Sequence, residues 1–80
     1  MHIEFKLPKD SAGQAAAHYS RRLEQSISQW AEENGIDYKI DHLRKDHNYY
    51  TVLTMFNDSD FTLFGVSYDE PNLPRPVLVR

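Results

Sequence analysis

The feature that most constrains the fold is a long amphipathic segment at residues 11–34. Its apolar residues recur at spacings of three and four, which aligns them in one stripe along a helix. The stripe consists of Ala12, Ala16, Tyr19, Leu23, Ile27, Trp30 and Ala31. Ser11 and Gln14 have the spacing of a capping box, and Gly35 favours a left-handed stop. Such a helix must bury its stripe against another layer of structure.

The remaining segments resemble strands joined by short turns. Residues 2–7 alternate apolar and polar side chains before Pro8, and residues 37–46 and 49–56 flank a turn at 46–48. A polar turn at 57–60 and an aromatic run at 61–68 predict one more strand, in which Gly65 marks a bulge or a close approach. The proline-rich residues 69–76 predict an extended arm, and residues 77–79 a short edge strand or a tail.

These elements predict a single α+β domain over residues 1–80. One long helix packs on a mostly antiparallel sheet of four or five strands, in the order β-α-β-β-β with a short C-terminal strand as the optional fifth. The chain has no cysteine, so no disulfide supports the fold. A domain of this size buries only about 60% of the surface of its unfolded chain. A homodimer would relieve this shortage of core and is left open.

No pattern typical of a catalytic or metal site stands out. The absence of cysteine excludes thiol chemistry and a four-thiolate zinc site, and the three glycines are isolated rather than part of a phosphate loop. His42 and His47 flank the turn at 46–48 and are the candidates for a small hydrolase or nuclease. One lies within a predicted strand and the other in the turn, so their convergence is not implied. We predict a protein that is not an enzyme and needs no metal or cofactor.

The charge is distributed unevenly along the chain. Residues 1–45 hold seven acids and seven bases, whereas residues 46–74 hold five acids and neither Lys nor Arg. An acidic surface repels phosphate backbones and attracts basic patches. An aromatic sheet face left uncovered would present apolar surface inside this acidic region. The predicted partner-binding residues are Asp58, Asp60, Asp69 and Glu70 as a rim, with Tyr49, Tyr50 and Tyr68 as anchors.

The sequence thus favours a small non-catalytic protein-binding module that modulates or inhibits a macromolecular partner with a basic surface. Its size, acidity and lack of catalytic motifs resemble the profile of inhibitors encoded by phages and mobile elements, including anti-CRISPR-type proteins. The resemblance implies an anti-defence role. The alternative is a small nucleic-acid-binding domain, which is less expected because its bases share their half of the chain with seven acids. That surface would use Arg21, Arg22, Lys39, Arg44 and Lys45.

The location follows from hydropathy. No apolar run approaches the roughly 20 residues of a membrane helix. Residues 1–6 alternate in polarity, unlike the apolar stretch of a signal peptide. We therefore expect a cytoplasmic protein without membrane contact.

Overall fold

The computed structural model describes residues 1–80 and contains four strands and two helices. In chain order they are β1 (His2–Lys6), α1 (Gln14–Asn34), β2 (Tyr38–Lys45), β3 (Asn48–Met55), α2 (Asp58–Ser67) and β4 (Pro76–Val79). The strands form one antiparallel sheet in the order β2-β3-β1-β4. This β-α-β-β-α-β connectivity, with β1 and β3 in the centre, is the split βαβ or ferredoxin-like arrangement. The predicted α+β class and antiparallel sheet are confirmed.

The predicted strand over residues 61–68 is wrong, because this segment forms α2. The Asn57 side chain accepts hydrogen bonds from the Asp60 backbone N–H (3.0 Å) and from the Ser59 hydroxyl (2.9 Å). The residues predicted as a turn are therefore a helix N-cap. Phe61 and Phe64 are both buried, and their spacing of three places them on one side of a helix but on opposite faces of a strand.

The start of α1 also differs from the prediction. The helix begins at Gln14 after Gly13, which has φ 72° and provides no side-chain cap, so the capping box of Ser11 and Gln14 does not form. Instead, the Asp10 carboxylate accepts a hydrogen bond from the Ala15 backbone N–H at 3.2 Å. This contact sets a negative charge at the positive end of the helix.

The end of α1 is as predicted. Gly35 adopts the left-handed conformation with φ 63°, and the Ile36 N–H donates to the Ala31 carbonyl at 2.9 Å. Ile36 packs against the core directly beyond the helix. Of the predicted stripe, Tyr19 is half-buried and Ala12 is exposed, while the other five members are buried.

One cluster of buried side chains lies between the helices and one face of the sheet. Its main members are Ile3 and Phe5 of β1, Leu53 and Met55 of β3, Leu23, Ile27 and Trp30 of α1, and Phe61 and Phe64 of α2. Neither helix is long and apolar enough to cross a membrane.

The C-terminal segment returns to this core. In residues 69–75, a turn is closed by the Leu73 N–H donating to the Glu70 carbonyl at 3.1 Å, and the Leu73 side chain is buried. Of the two alternatives left open for residues 77–79, the edge strand forms, since β4 pairs with β1 in the register His2↔Val79. Gly65 marks the close approach of α2 to β4, because a Cβ atom there would lie 2.9 Å from Leu78 Cδ2.

Candidate protein-docking surface

The inner side of α2 is held in place by aromatic contacts. The Phe64 ring stacks on Tyr68 at 4.5 Å and meets Trp30 edge-on at 5.1 Å. The Trp30 indole N–H donates to the Ser67 hydroxyl at 3.0 Å. These contacts determine the rotation of α2 about its axis, and therefore which of its residues face solvent.

The outer side of α2 carries two exposed apolar side chains, Leu63 and Val66, beside the exposed polar residues Ser59 and Thr62. Val66 is 79% exposed and Leu63 is 37% exposed. Residues three apart are neighbours on a helix surface, so the two side chains form one patch. A helix on the surface of a globular protein normally carries mainly polar residues on this side, so an exposed Leu and Val together make it a candidate contact surface.

Acidic residues lie at both ends of this helix. Asp58 and Asp60 are in its first turn, and Asp69 and Glu70 follow its last residue. The two acidic ends are about 15 Å apart, because the helix has ten residues that each rise 1.5 Å. Asp58 forms an ion pair with Arg80. The other three carboxylates form no ion pair. We define the α2 surface as Leu63, Val66, Asp60, Asp69 and Glu70.

Tyr68 lies at the base of α2 rather than on its outer side. Its ring contacts Phe64, and its hydroxyl lies 2.9 Å from the Ser26 hydroxyl. Burial raises the pKa of the Tyr68 hydroxyl above its ordinary value of 10.0; the hydrogen bond with Ser26 opposes this shift, and the Glu70 carboxylate adds to it. The structure thus assigns the Tyr68 ring to the core, whereas the sequence proposed it as a partner anchor.

Tyr49 and Tyr50 lie away from the α2 surface. They are adjacent on β3 and therefore point to opposite faces of the sheet. The Arg44 guanidinium lies 5.7 Å from the centre of the Tyr49 ring, and Tyr50 is opposite Lys6. Both tyrosines are at the start of β3, whereas α2 follows the other end of that strand. The structure does not bring the seven predicted partner-binding residues into one site.

The sheet face opposite the helices is uncovered, and it carries charged residues as well as the aliphatic Leu43, Val52, Val77 and Val79. The register places Tyr50 there as its single Tyr, Phe or Trp residue, together with Glu4, Lys6, Lys39, Asp41 and Lys45. The His2 imidazole lies 2.9 Å from a Glu4 carboxylate oxygen, and an ion pair joins Lys39 to Asp41 at 3.7 Å. Long charged side chains cover apolar surface with their aliphatic stems. The expected uncovered aromatic face depended on a strand at 61–68, and it is absent because that segment is a helix.

The five bases predicted for nucleic-acid binding lie on separate surfaces. Arg21 and Arg22 are exposed on α1, and Arg44 lies on the sheet face that carries the helices. Lys39 and Lys45 lie on the other sheet face. A phosphate backbone would therefore not meet all five together.

His42 takes part in a hydrogen-bonded chain that the sequence did not reveal. Its Nε2 lies 2.6 Å from a Glu24 carboxylate oxygen, and its Nδ1 lies 3.0 Å from the Thr51 hydroxyl. The order of hydroxyl, imidazole and carboxylate is that of a catalytic triad. However, Thr51 is completely buried, so its hydroxyl cannot reach a substrate. The two hydrogen bonds of His42 instead connect α1 to β2 and β3.

The surroundings of His42 do not extend this chain into a reactive site. His42 borders an open cleft of about 530 Å³ between the first half of α1 and the β2–β3 hairpin. His47 lies apart, in the turn of that hairpin. No group of three or more His, Asp or Glu residues is arranged to hold a metal ion.

The apolar residues of the α2 surface were missed because residues 61–68 were interpreted as a strand. A signal for the helix was present: Asn57 is followed three residues later by Asp60, and apolar residues then recur at a spacing of three. Comparisons with protein-family models, with curated proteins and with solved structures found no match.

Proposed function

We propose that the protein is a non-catalytic protein-binding module that docks a basic partner on the α2 surface. The observation that carries this proposal is the 79% exposure of Val66 on a helix whose inner side is locked into an aromatic core. An apolar centre inside a charged rim is the usual anatomy of a protein interface. Because the core determines the rotation of α2, this patch is presented before the partner binds.

The charges determine which kind of partner fits. Asp60, Asp69 and Glu70 form no ion pair, and residues 46–74 contain neither Lys nor Arg. Such a rim accelerates association with a positively charged protein and repels nucleic acid. The five bases predicted to contact nucleic acid lie on separate surfaces, which also favours a protein partner over nucleic acid.

The role as an inhibitor encoded by a phage or mobile element stays a prediction from the size and composition of the chain, as does its cytoplasmic location. An acidic docking surface suits this role, because enzymes that act on nucleic acid need a basic surface that an acidic protein can occupy.

The test uses a photo-crosslinking residue at position 66 in living cells. The same residue at position 25, an exposed position on α1, is the control. We expect one protein to be crosslinked from position 66 and not from position 25. Equal crosslinking from both positions would contradict docking on α2.

The crosslinked protein is then purified, and its affinity for the module is measured by calorimetry. The double variant Asp69→Lys with Glu70→Lys reverses the rim at the C-terminal end of α2, where positive charge is compatible with the helix dipole. We expect its affinity to fall at least tenfold, roughly the cost of losing close charge pairs at an interface. Glu32→Lys with Glu33→Lys, exposed on α1, makes the same change in net charge and should leave the affinity within about threefold. Equal losses in both variants would show that only net charge matters and would refute the site.

A further inference from the structure

The two edges of the sheet differ in how they are protected. β2 forms one edge and carries Lys39, Asp41, Arg44 and Lys45, the kind of residues that block pairing with another chain. β4 forms the other edge, and its sequence Pro-Val-Leu-Val contains no charge. Val77 is 60% exposed and Leu78 is 41% exposed. The β4 edge is therefore open to another strand.

The hydrogen bonds of β1 show which backbone groups of β4 are free. The Leu7 N–H donates to the Tyr49 carbonyl at 2.8 Å, and the Met55 N–H donates to the Met1 carbonyl at 3.3 Å. The odd-numbered residues of the β1 segment therefore bond to β3. Since backbone groups alternate in direction along a strand, the even-numbered residues bond to β4.

The register then assigns each residue of β4 a direction. His2 and Glu4 lie opposite Val79 and Val77, so the backbone groups of these two valines point inward to β1. The N–H and C=O of Leu78 consequently point outward to the free edge. Pro76 also points outward, where its lack of an N–H costs no bond within the sheet.

We propose that two copies of this chain pair antiparallel along β4, around a two-fold axis at Leu78. Each Leu78 exchanges both of its backbone hydrogen bonds with Leu78 of the second copy. Each Arg80 N–H donates to the Pro76 carbonyl of the second copy. Because proline has no N–H, this pair forms one hydrogen bond instead of two. Val77 of one copy lies opposite Val79 of the other, so the interface between the two copies is apolar on the open face of the sheet.

A second copy fits this edge better than the basic partner of the α2 surface. β4 carries no acid, and Asp58 near its end is already paired with Arg80, so a basic strand would gain no charge contact there. A second copy satisfies every outward backbone group of Leu78 and Pro76. It also adds buried apolar area to a chain of only 80 residues.

The proposal goes beyond the function proposed above and does not depend on it. A two-fold axis perpendicular to the sheet keeps the helices of both copies on the same side. The dimer would then present two α2 surfaces side by side, which would raise the avidity for a partner that carries repeated basic segments.

The association is tested by sedimentation velocity of the full chain from about 5 µM to about 1 mM, the range in which a small interface assembles. We expect a reversible monomer–dimer equilibrium. A chain that stays monomeric at the highest concentration would overturn the proposal.

The register is tested with single cysteines, because the chain has none of its own. Val77→Cys and Val79→Cys proteins are oxidised separately and as a mixture. In the proposed register, Cα atoms of positions 77 and 79 are about 4.5 Å apart across the axis. Two copies of position 77 are about 7–8 Å apart, beyond the reach of a disulfide. We expect at least fivefold more covalent dimer in the mixture; equal yields from either protein alone would refute the register.

Charge variants at the same two positions give an independent control. Val77→Lys with Val79→Lys places like charges opposite each other and should weaken dimerisation at least tenfold. Val77→Lys with Val79→Glu places opposite charges in the same pairs and should retain the dimer. Circular dichroism checks that both variants fold, and equal association of the two would count against pairing along β4. At position 66, a crosslinked product that contains only this chain reports the dimer, and a product that contains another protein reports docking on α2, so the two proposals stay distinguishable.

Discussion

The hydrogen bond between His42 and Thr51 predicts a specific pattern of stability changes. Thr51 is the only buried polar residue of the chain, and its hydroxyl contacts the ring of His42. His42→Ala should leave this hydroxyl without a partner, at a cost of about 1–3 kcal/mol. The lost contact with Glu24 adds only about 0.2–1 kcal/mol, since both side chains are more than one-third exposed. The expected total loss is about 1.2–4 kcal/mol.

Replacing both partners should cost less than the sum of the single changes. Thr51→Val keeps the shape of the side chain but removes the buried hydroxyl, and water can reach the half-exposed imidazole, so the single variant should lose about 0–1 kcal/mol. In the double variant no polar group is left buried without a partner. It should therefore be more stable than His42→Ala by about 1 kcal/mol, or about 4–8 °C in the midpoint of thermal unfolding.

The measurement is urea unfolding followed by the fluorescence of Trp30, the single tryptophan, which lies in the core. Glu24→Gln serves as a control that leaves the buried bond in place and should lose no more than about 1 kcal/mol. If the losses of His42→Ala and Thr51→Val simply add, the hydroxyl does not depend on His42 and the argument for a structural role of this histidine fails.

Three further predictions concern stability. Asp46 and His47 both have positive φ in the β2–β3 turn. His47→Gly should relieve about 1–2 kcal/mol of backbone strain, whereas the greater entropy of the unfolded chain should cost about 0.5–1 kcal/mol. Thermal unfolding should therefore show a net gain in stability that His47→Ala does not reproduce. Because the pKa of Tyr68 is raised in the folded state, the unfolded chain loses this proton first and stability should fall as the pH rises above about 10; urea unfolding from about pH 9 to about pH 11 should show a shallower fall in Tyr68→Phe. Phe64→Ala should cost about 3–5 kcal/mol, out of a free energy of unfolding of roughly 4–12 kcal/mol for a domain of this size. Circular dichroism should show a largely destabilised protein, whereas Val66→Ser on the outer side should unfold like the wild type.

The two helices show how far local signals extend. α1 was predictable because its stripe has a clear period and Gly35 ends it with a conformation that other residues avoid. α2 was not, because apolar residues stand on both its inner and outer sides and its aromatic content favours a strand. The Asn57 cap favours a helix locally, and the docking of Phe61 and Phe64 into the core selects it over a strand.

The surroundings of the predicted partner-binding residues follow from the sequence only in part, for the same reason. Asp60, Asp69 and Glu70 flank an exposed apolar patch, as the uneven charge along the chain indicated. Tyr68 packs against the core rather than facing a partner, and the sequence could not show this because a tyrosine in a core and a tyrosine at an interface have the same local sequence preferences. Tyr68 packs inside because the helix before it turns its ring toward Phe64.

The sequence by itself determined the α+β class, the long helix with its glycine stop, the β2–β3 hairpin and the acidity of the second half. These features depend on residues within a few positions of each other, whose spacing and backbone preferences act before the chain is compact. The tertiary structure alone decided the second helix, the pairing of β4 with β1 and the link from Glu24 through His42 to Thr51. Each of these features depends on contacts between residues that are far apart in the chain. Those contacts stabilise the protein only once the helices have packed on the sheet.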